Sequence, residues 1–238
     1  RILVYGLGDK KSASSDFLRS EGANIYAYAN SKNLSSISVY LKTFKVNKND
    51  SSQSVLEGIF LGSYFFDNYK SSKNMLNIKT KSLDLITESF KPKTISTAID
   101  KAYVLSQSVS LSRDLGNQPA NLCTPTHLAK TASQIAKAKN MTAKIFDVKE
   151  FKKMKLGSFY GVARGAKEPA KFILVEYSGG KKNEPPIGLI GKGVTFDTGG
   201  ISLKPPSKMD EMKFDMCGSA TVLGLMNAVS ILQPKVNI

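Results

Sequence analysis

The chain has 238 residues, 41% hydrophobic and 22% charged, a balance that excludes a disordered or fibrous polypeptide and allows one large domain or two small ones. Lys and Arg number 34 against 19 Asp and Glu, a formal charge of +15 that would attract nucleic acid or an anionic surface. The lysines fall singly or in pairs such as Lys10-Lys11, Lys152-Lys153 and Lys181-Lys182, outside any zinc-finger or helix-turn-helix pattern, so a basic solvated surface is the better reading.

In chain order, residues 2–8 read as an apolar strand ending in glycine, 13–30 begin with helical spacing, 37–41 are β-like and 54–66 return to helix. This β-α-β-α order favours a parallel sheet with helices packed on it. Residues 67–81 are polar and lysine-rich, and a strand at 83–86 closes the first unit. Lys91-Pro92-Lys93 precedes a long helix over 94–115, ended by Gly116-Asn117. A helix of this length between two α/β patterns looks like a connector, which places a domain boundary near residue 92. Beyond it, Thr126 is the expected cap of a helix to about residue 138. Strands are expected at 142–146, 159–162, 172–177 and 187–190, and a last helix at 218–232 breaks at Pro234.

No run approaches the ~18 uninterrupted apolar residues of a membrane span. The chain starts Arg1-Ile2-Leu3-Val4-Tyr5, without the sections of a signal peptide and without an initiator Met, which reads as a chain cut from a longer protein. Cys123 and Cys217 lie far apart and outside any CxxC motif. They indicate neither a disulfide framework nor a thiolate metal site, and they fit a reducing cytoplasm.

Several motifs fail on inspection. Gly6-Leu7-Gly8 lacks the third glycine of a dinucleotide fingerprint, because Lys11 stands there, and a strand-to-helix turn is the better reading. Gly191-Lys192-Gly193 lacks the Ser or Thr that a P-loop needs after its lysine. His127 is the only histidine, so a His-based zinc site or a Ser-His-Asp triad is disfavoured, and it reads as a helix-start residue.

The dense segment runs from Ile187 through Gly-Lys-Gly, Phe-Asp-Thr-Gly-Gly and Ser-Leu-Lys-Pro to Lys-Phe-Asp-Met and Cys-Gly-Ser-Ala. It places Lys192, Asp197, Lys204, Asp210, Glu211 and Asp215 on turns between a strand and a helix. Carboxylates without histidine partners suit Mg²⁺, Mn²⁺ or Zn²⁺. A lysine desolvated near cations can offer a neutral amine to a metal, and one held charged can stabilise an oxyanion. Lysines and acids are also common on loops, so composition alone leaves a solvated loop edge equally open.

The order and spacing of these residues resemble the catalytic signature of the leucine (cytosol) aminopeptidase family, most strongly over 189–223, with weaker similarity over 112–125 and 58–67. The resemblance implies an α/β fold: part of an N-terminal α/β, macro-like domain over 1–91, followed by the first half of an α/β metallopeptidase catalytic domain over 92–238. It implies two divalent ions per subunit, Mn²⁺ or Zn²⁺. Lys192 matches the neutral-amine ligand, Asp197 the bridging carboxylate, Asp215 a ligand of one ion, Lys204 the charged lysine beside the substrate carbonyl, and Met212 the pocket for the N-terminal side chain. The implied activity is release of leucine-like residues from peptides with a free N-terminus, by a cytoplasmic homohexamer.

The family's second signature, Asn-Thr-Asp-Ala-Glu-Gly-Arg, is not in the sequence. With two matched carboxylates both ions would be under-coordinated, so this polypeptide alone is expected to be inactive. Two alternatives stay open: a basic DNA-binding or regulatory protein on the same scaffold, since some bacterial family members also bind DNA, and a non-catalytic paralogue.

Overall fold

Ser14 begins the first helix by accepting the Phe17 N–H on its Oγ at 3.0 Å, which satisfies one of the N–H groups a helix start leaves without a partner. A computed structural model describes residues 14–40, 45–46, 49–71, 80–86 and 92–238. The strand expected at 2–8 and its glycine turn lie outside the described residues, as do 72–79 of the polar stretch. The chain divides into two compact units, Arg1–Gln107 and Ser108–Ile238.

In the first unit, α1 (Ser15–Ser31) is followed by β1 (Ser36–Tyr40), a short antiparallel pair β2 (Lys45–Val46) and β3 (Asn49–Asp50), α2 (Ser51–Gly62) and β4 (Ser82–Ile86). β1 and β4 pair in parallel, from Ser36 opposite Ser82 to Tyr40 opposite Ile86. Two parallel strands need a crossover, and α2 lies in it, so the expected parallel α/β arrangement is present. Each strand alternates exposed and half-buried residues, and Val39 and Leu83 pack against Leu18, Tyr26, Val55 and Ile59 of the two helices.

Glycines let α1 and α2 touch backbone to backbone. A Cβ on Gly58 would collide with the Arg19 carbonyl, one on Gly22 with the Val55 carbonyl, and one on Gly62 would stand 2.9 Å from the Ala23 Cα. The Arg19 guanidinium crosses the same contact to Glu57, Nε to Oε2 at 2.8 Å, and also pairs with Asp16. The Glu57 side chain is 8% exposed, and Gln53 donates to its other oxygen at 2.8 Å, so the buried carboxylate is fully served.

α3 (Pro92–Asn117) contains the dividing point between the units, which falls inside this helix and not at its first residue. The second unit continues with α4 (Pro125–Ile135), β5 (Met141–Phe146), α5 (Val148–Lys153), α6 (Gly157–Ala163), β6 (Phe172–Tyr177), a 3₁₀ helix (Met209–Met216) and α7 (Cys217–Leu232). β5 and β6 are antiparallel, from Met141 opposite Tyr177 to Phe146 opposite Phe172. Ile238 bonds back to Tyr177 in both directions, at 2.8 and 2.9 Å. The core joins Leu128, Ala132 and Ile135 of α4 to Ala220, Leu223, Met226 and Val229 of α7, with Met141 and Tyr177 from the strands.

Three local expectations change. The cap of α4 is Thr124, which accepts the His127 N–H at 3.2 Å; Pro125 takes the first helical position, where its missing N–H costs nothing, and Thr126 donates to Glu168 at 2.7 Å instead. Residues 159–162, expected as a strand, lie in α6, because Phe159 stacks edge-on to Phe151 at 5.0 Å and to Phe172 at 5.8 Å, and helical geometry presents its ring to both. Residues 187–190 form no strand among the described residues. The Ile187 N–H donates to the Asn237 carbonyl at 2.9 Å, and Ile190 is fully exposed. By length and by the mean hydropathy of an 18-residue window within it, 1.3, the stretch Met209–Leu232 would suffice to cross a membrane, yet the α7 face bearing Leu223, Met226 and Val229 is core.

Replacing Gly58 by Ala is expected to destabilise the first unit by at least ~1–3 kcal/mol, because two backbones must separate. Chemical denaturation of the variant checks this, and an unchanged midpoint would show that the helices do not meet at Gly58.

Candidate metal centre

Lys192 lies on an extended glycine-flanked segment that runs against the first turn of α7. The Ser219 N–H donates to the Lys192 carbonyl at 2.8 Å. A Cβ on Gly191 would stand 2.6 Å from the Gly218 carbonyl oxygen, and one on Gly218 would stand 2.8 Å from the Lys192 nitrogen. No side chain fits between the two backbones, and glycine on both sides is the reason they can meet.

From there the Lys192 amine contacts the Asp215 carboxylate, which the 3₁₀ helix presents just ahead of α7. The Oδ2 of Asp215 is buried, and among the described residues its contact is the Lys192 amine. With the Lys192 side chain 57% exposed, such a pair contributes ~0–1 kcal/mol to stability. Its geometry is that of a donor atom aimed at a cation.

The turn between Asp197 and Lys204 supplies the other carboxylate. The Lys204 N–H donates to the Thr198 carbonyl at 2.9 Å and closes the turn. Gly199 and Gly200 take φ of +90° and +77°, which side chains resist, and a Cβ on Gly199 would stand 3.1 Å from the Lys204 nitrogen. The Gly199 N–H donates to Asp197 Oδ1 at 2.9 Å. Lys204 Nζ donates to Asp197 Oδ2 at 2.9 Å and to the Met212 sulfur at 3.1 Å.

The Lys204 hydrogen bond holds the Asp197 carboxyl below the usual carboxylate range, helped by the Gly199 N–H and by the charges of Lys204 and Lys192. Asp197 is therefore ionised at neutral pH. The influence of Lys192 on it also places the two halves of the cluster in one electrostatic neighbourhood.

The structure thus brings Lys204, Asp197 and Met212 into contact, and separately Lys192 and Asp215. Asp210 and Glu211 stand apart from these contacts, with Glu211 near Lys208 at 3.9 Å. Among the described residues no three His, Cys, Asp or Glu side chains converge as a metal cluster. The donors present are an amine and two carboxylates, a hard N/O set that fits a divalent cation as part of a larger coordination sphere. Sequence reading overlooked Gly218 and Ser219, which hold Lys192 through backbone atoms and carry no chemical signature of their own.

A two-unit α/β protein with an amine-and-carboxylate cluster at the head of a core helix is the class that these features define. The chain belongs to the cytosol aminopeptidase family: residues 110–238 match its catalytic domain and residues 1–73 its N-terminal domain. A probable cytosol aminopeptidase of Pseudomonas syringae pv. tomato is 36% identical over 100% of this chain and 49% of its own length. One from Variovorax paradoxus is 46% identical over 60% of this chain and 28% of its own. Among solved structures, the bottromycin maturation enzyme BotP in complex with Mn superposes with a TM-score of 0.81 at 26% identity, over 98% of this chain and 48% of that one. A tomato leucine aminopeptidase mutant gives 0.80 at 30% identity, over 98% and 45%. The chain spans about half the length of the curated relatives that match all of it.

Cys217 borders the cluster and is exposed, whereas Cys123 is buried, and burial pushes its thiol up to about 11, with Cys217 adding to the effect. Thiolate is the reactive form, so near neutral pH iodoacetamide is expected to label Cys217 first and Cys123 only after unfolding. Mass spectrometry of the native and denatured protein checks this; equal labelling rates would show that Cys123 is not enclosed.

Proposed function

We propose that this chain carries the amine ligand and the first two carboxylates of a two-metal aminopeptidase site. The buried Oδ2 of Asp215 set directly against the Lys192 amine carries the reading, because it brings an amine nitrogen and a carboxylate oxygen, two donor atoms suited to a divalent cation, to one point. Lys192 would bind as a neutral amine, Asp197 as a bridging carboxylate and Asp215 as a ligand of one ion. When bound, two divalent ions such as Mn²⁺ or Zn²⁺ supply Lewis acidity and lower the pKa of water. The name of the Mn complex of BotP supports a divalent ion here.

The chain's own residues then orient the substrate. Lys204 has three N–H donors, and Asp197 and the Met212 sulfur take two of them at 2.9 and 3.1 Å. The third is left to donate to the scissile carbonyl as negative charge develops there. Met212, held by Lys204, would line the pocket for a leucine-like N-terminal side chain, a preference of modest size because apolar pockets discriminate by ~1–3 kcal/mol per methylene. Substrates would be peptides with a free N-terminus, cut by a cytoplasmic protein that assembles as a homohexamer. Residues 1–238 taken alone would hydrolyse little, since Asp197 and Asp215 under-coordinate two ions. The family placement does not favour the DNA-binding alternative.

Lys204→Ala in the full chain is expected to lower kcat for a leucyl amide by roughly 10²–10³ with the bound metal retained. Hydrolysis rates and metal content measured together check this. Loss of metal along with activity would show that Lys204 holds the ions, and unchanged kcat would remove it from the chemistry.

A further inference from the structure

The Lys192 side chain has four rotatable bonds and ~2 kcal/mol of rotamer entropy, so where its amine stands depends on how its backbone is anchored. That anchor is the first turn of α7. The Ser219 N–H has no carbonyl four residues back within α7, and the Lys192 carbonyl takes it at 2.8 Å. A Cβ on Gly218 would meet the Lys192 nitrogen at 2.8 Å, its oxygen at 3.2 Å and its Cβ at 3.4 Å, and one on Gly191 would meet the Gly218 carbonyl carbon at 2.8 Å. Most of the obstructing atoms are backbone and cannot rotate away. A methyl at Gly218 therefore pushes the Lys192 segment off the helix.

Asp215 rides on the 3₁₀ helix that runs directly into α7, so such a displacement moves Lys192 away from Asp215 and not with it. Gly193 shows the contrast: its Cβ would meet only the Ser219 side chain, at 3.4 and 3.5 Å, an ordinary contact. The geometry points to Gly218, with the Ser219 N–H, as the positioning element of the metal centre: it sets the Lys192 amine against the Asp215 carboxylate and so determines affinity for the divalent cation. The inference rests on the metal-centre reading above.

Calorimetric titration of the full chain with Mn²⁺, beside thermal unfolding in chelator and in saturating Mn²⁺, tests it. Gly218→Ala and Ser219→Pro are compared with wild type and with Gly161→Ala, where a Cβ meets nothing within 4 Å. Proline in the first helical turn removes the N–H bond to Lys192 without breaking α7, so it carries the test if Gly218→Ala does not fold. Both variants are expected to weaken Mn²⁺ binding roughly 10- to 100-fold; the backbone clash also lowers the unfolding temperature of Gly218→Ala in chelator, whereas Ser219→Pro unfolds there close to the wild-type temperature. At the same saturating Mn²⁺ concentration the variants are expected to show a smaller temperature rise than wild type, because stabilisation grows with the ratio of free Mn²⁺ to Kd. Wild-type affinity in the folded variants overturns the inference, as does a loss of affinity in Ser219→Pro that only accompanies a lower unfolding temperature in chelator. Failure of wild type itself to bind Mn²⁺ overturns the metal-centre reading, and the inference with it.

Discussion

The Ser219 N–H reaching the Lys192 carbonyl at 2.8 Å is a single hydrogen bond, but the site around it depends on the contact it closes. Two backbones approach to where a methyl on either would lie less than 3 Å from the other. At that separation the extended segment cannot slide along α7 without losing the bond, and the Lys192 side chain starts from a defined point. Asp215, one helical turn ahead of Ser219, then lies within reach of the amine. The site is built by backbone proximity first and by side-chain chemistry second.

Glycine performs the same task in the first unit for a different end. There the Gly22, Gly58 and Gly62 contacts join α1 to α2 and let Arg19 reach Glu57 across a helix interface. Removing Arg19 would strand the buried Glu57 carboxylate, so the contact specifies how the helices align more than it adds net stability. At Lys192 and Asp215 the ion pair is half exposed and energetically small. Its value lies in the donor atoms it gathers.

The two lysines of the cluster are distinguished by their surroundings. Lys204 meets the Asp197 carboxylate at 2.9 Å, and the Gly199 N–H holds that carboxylate from the other side. Lys192 faces the buried Oδ2 of Asp215, which among the described residues pairs with no other group. The Met212 sulfur accepts from the same Lys204 amine at 3.1 Å.

The sequence by itself determined the family and the α/β alternation, and it singled out Lys192, Asp197, Lys204, Met212 and Asp215 as candidates, because motif order and spacing survive without coordinates. Helices with clear periodicity, such as those at 15–31 and 217–232, were legible for the same reason. Residues 159–162 were not, since an aromatic run reads as strand until Phe151 and Phe172 are seen to require a helix. Residues 187–190 read as strand on composition, but a strand exists only through the neighbour that completes its ladder. Only the tertiary structure revealed that Gly191 and Gly218 touch across 27 positions of sequence, counted as 218 less 191, or that Asp215 Oδ2 is buried facing one amine. A glycine's role is the space it leaves, and that space is a property of whatever the fold brings beside it.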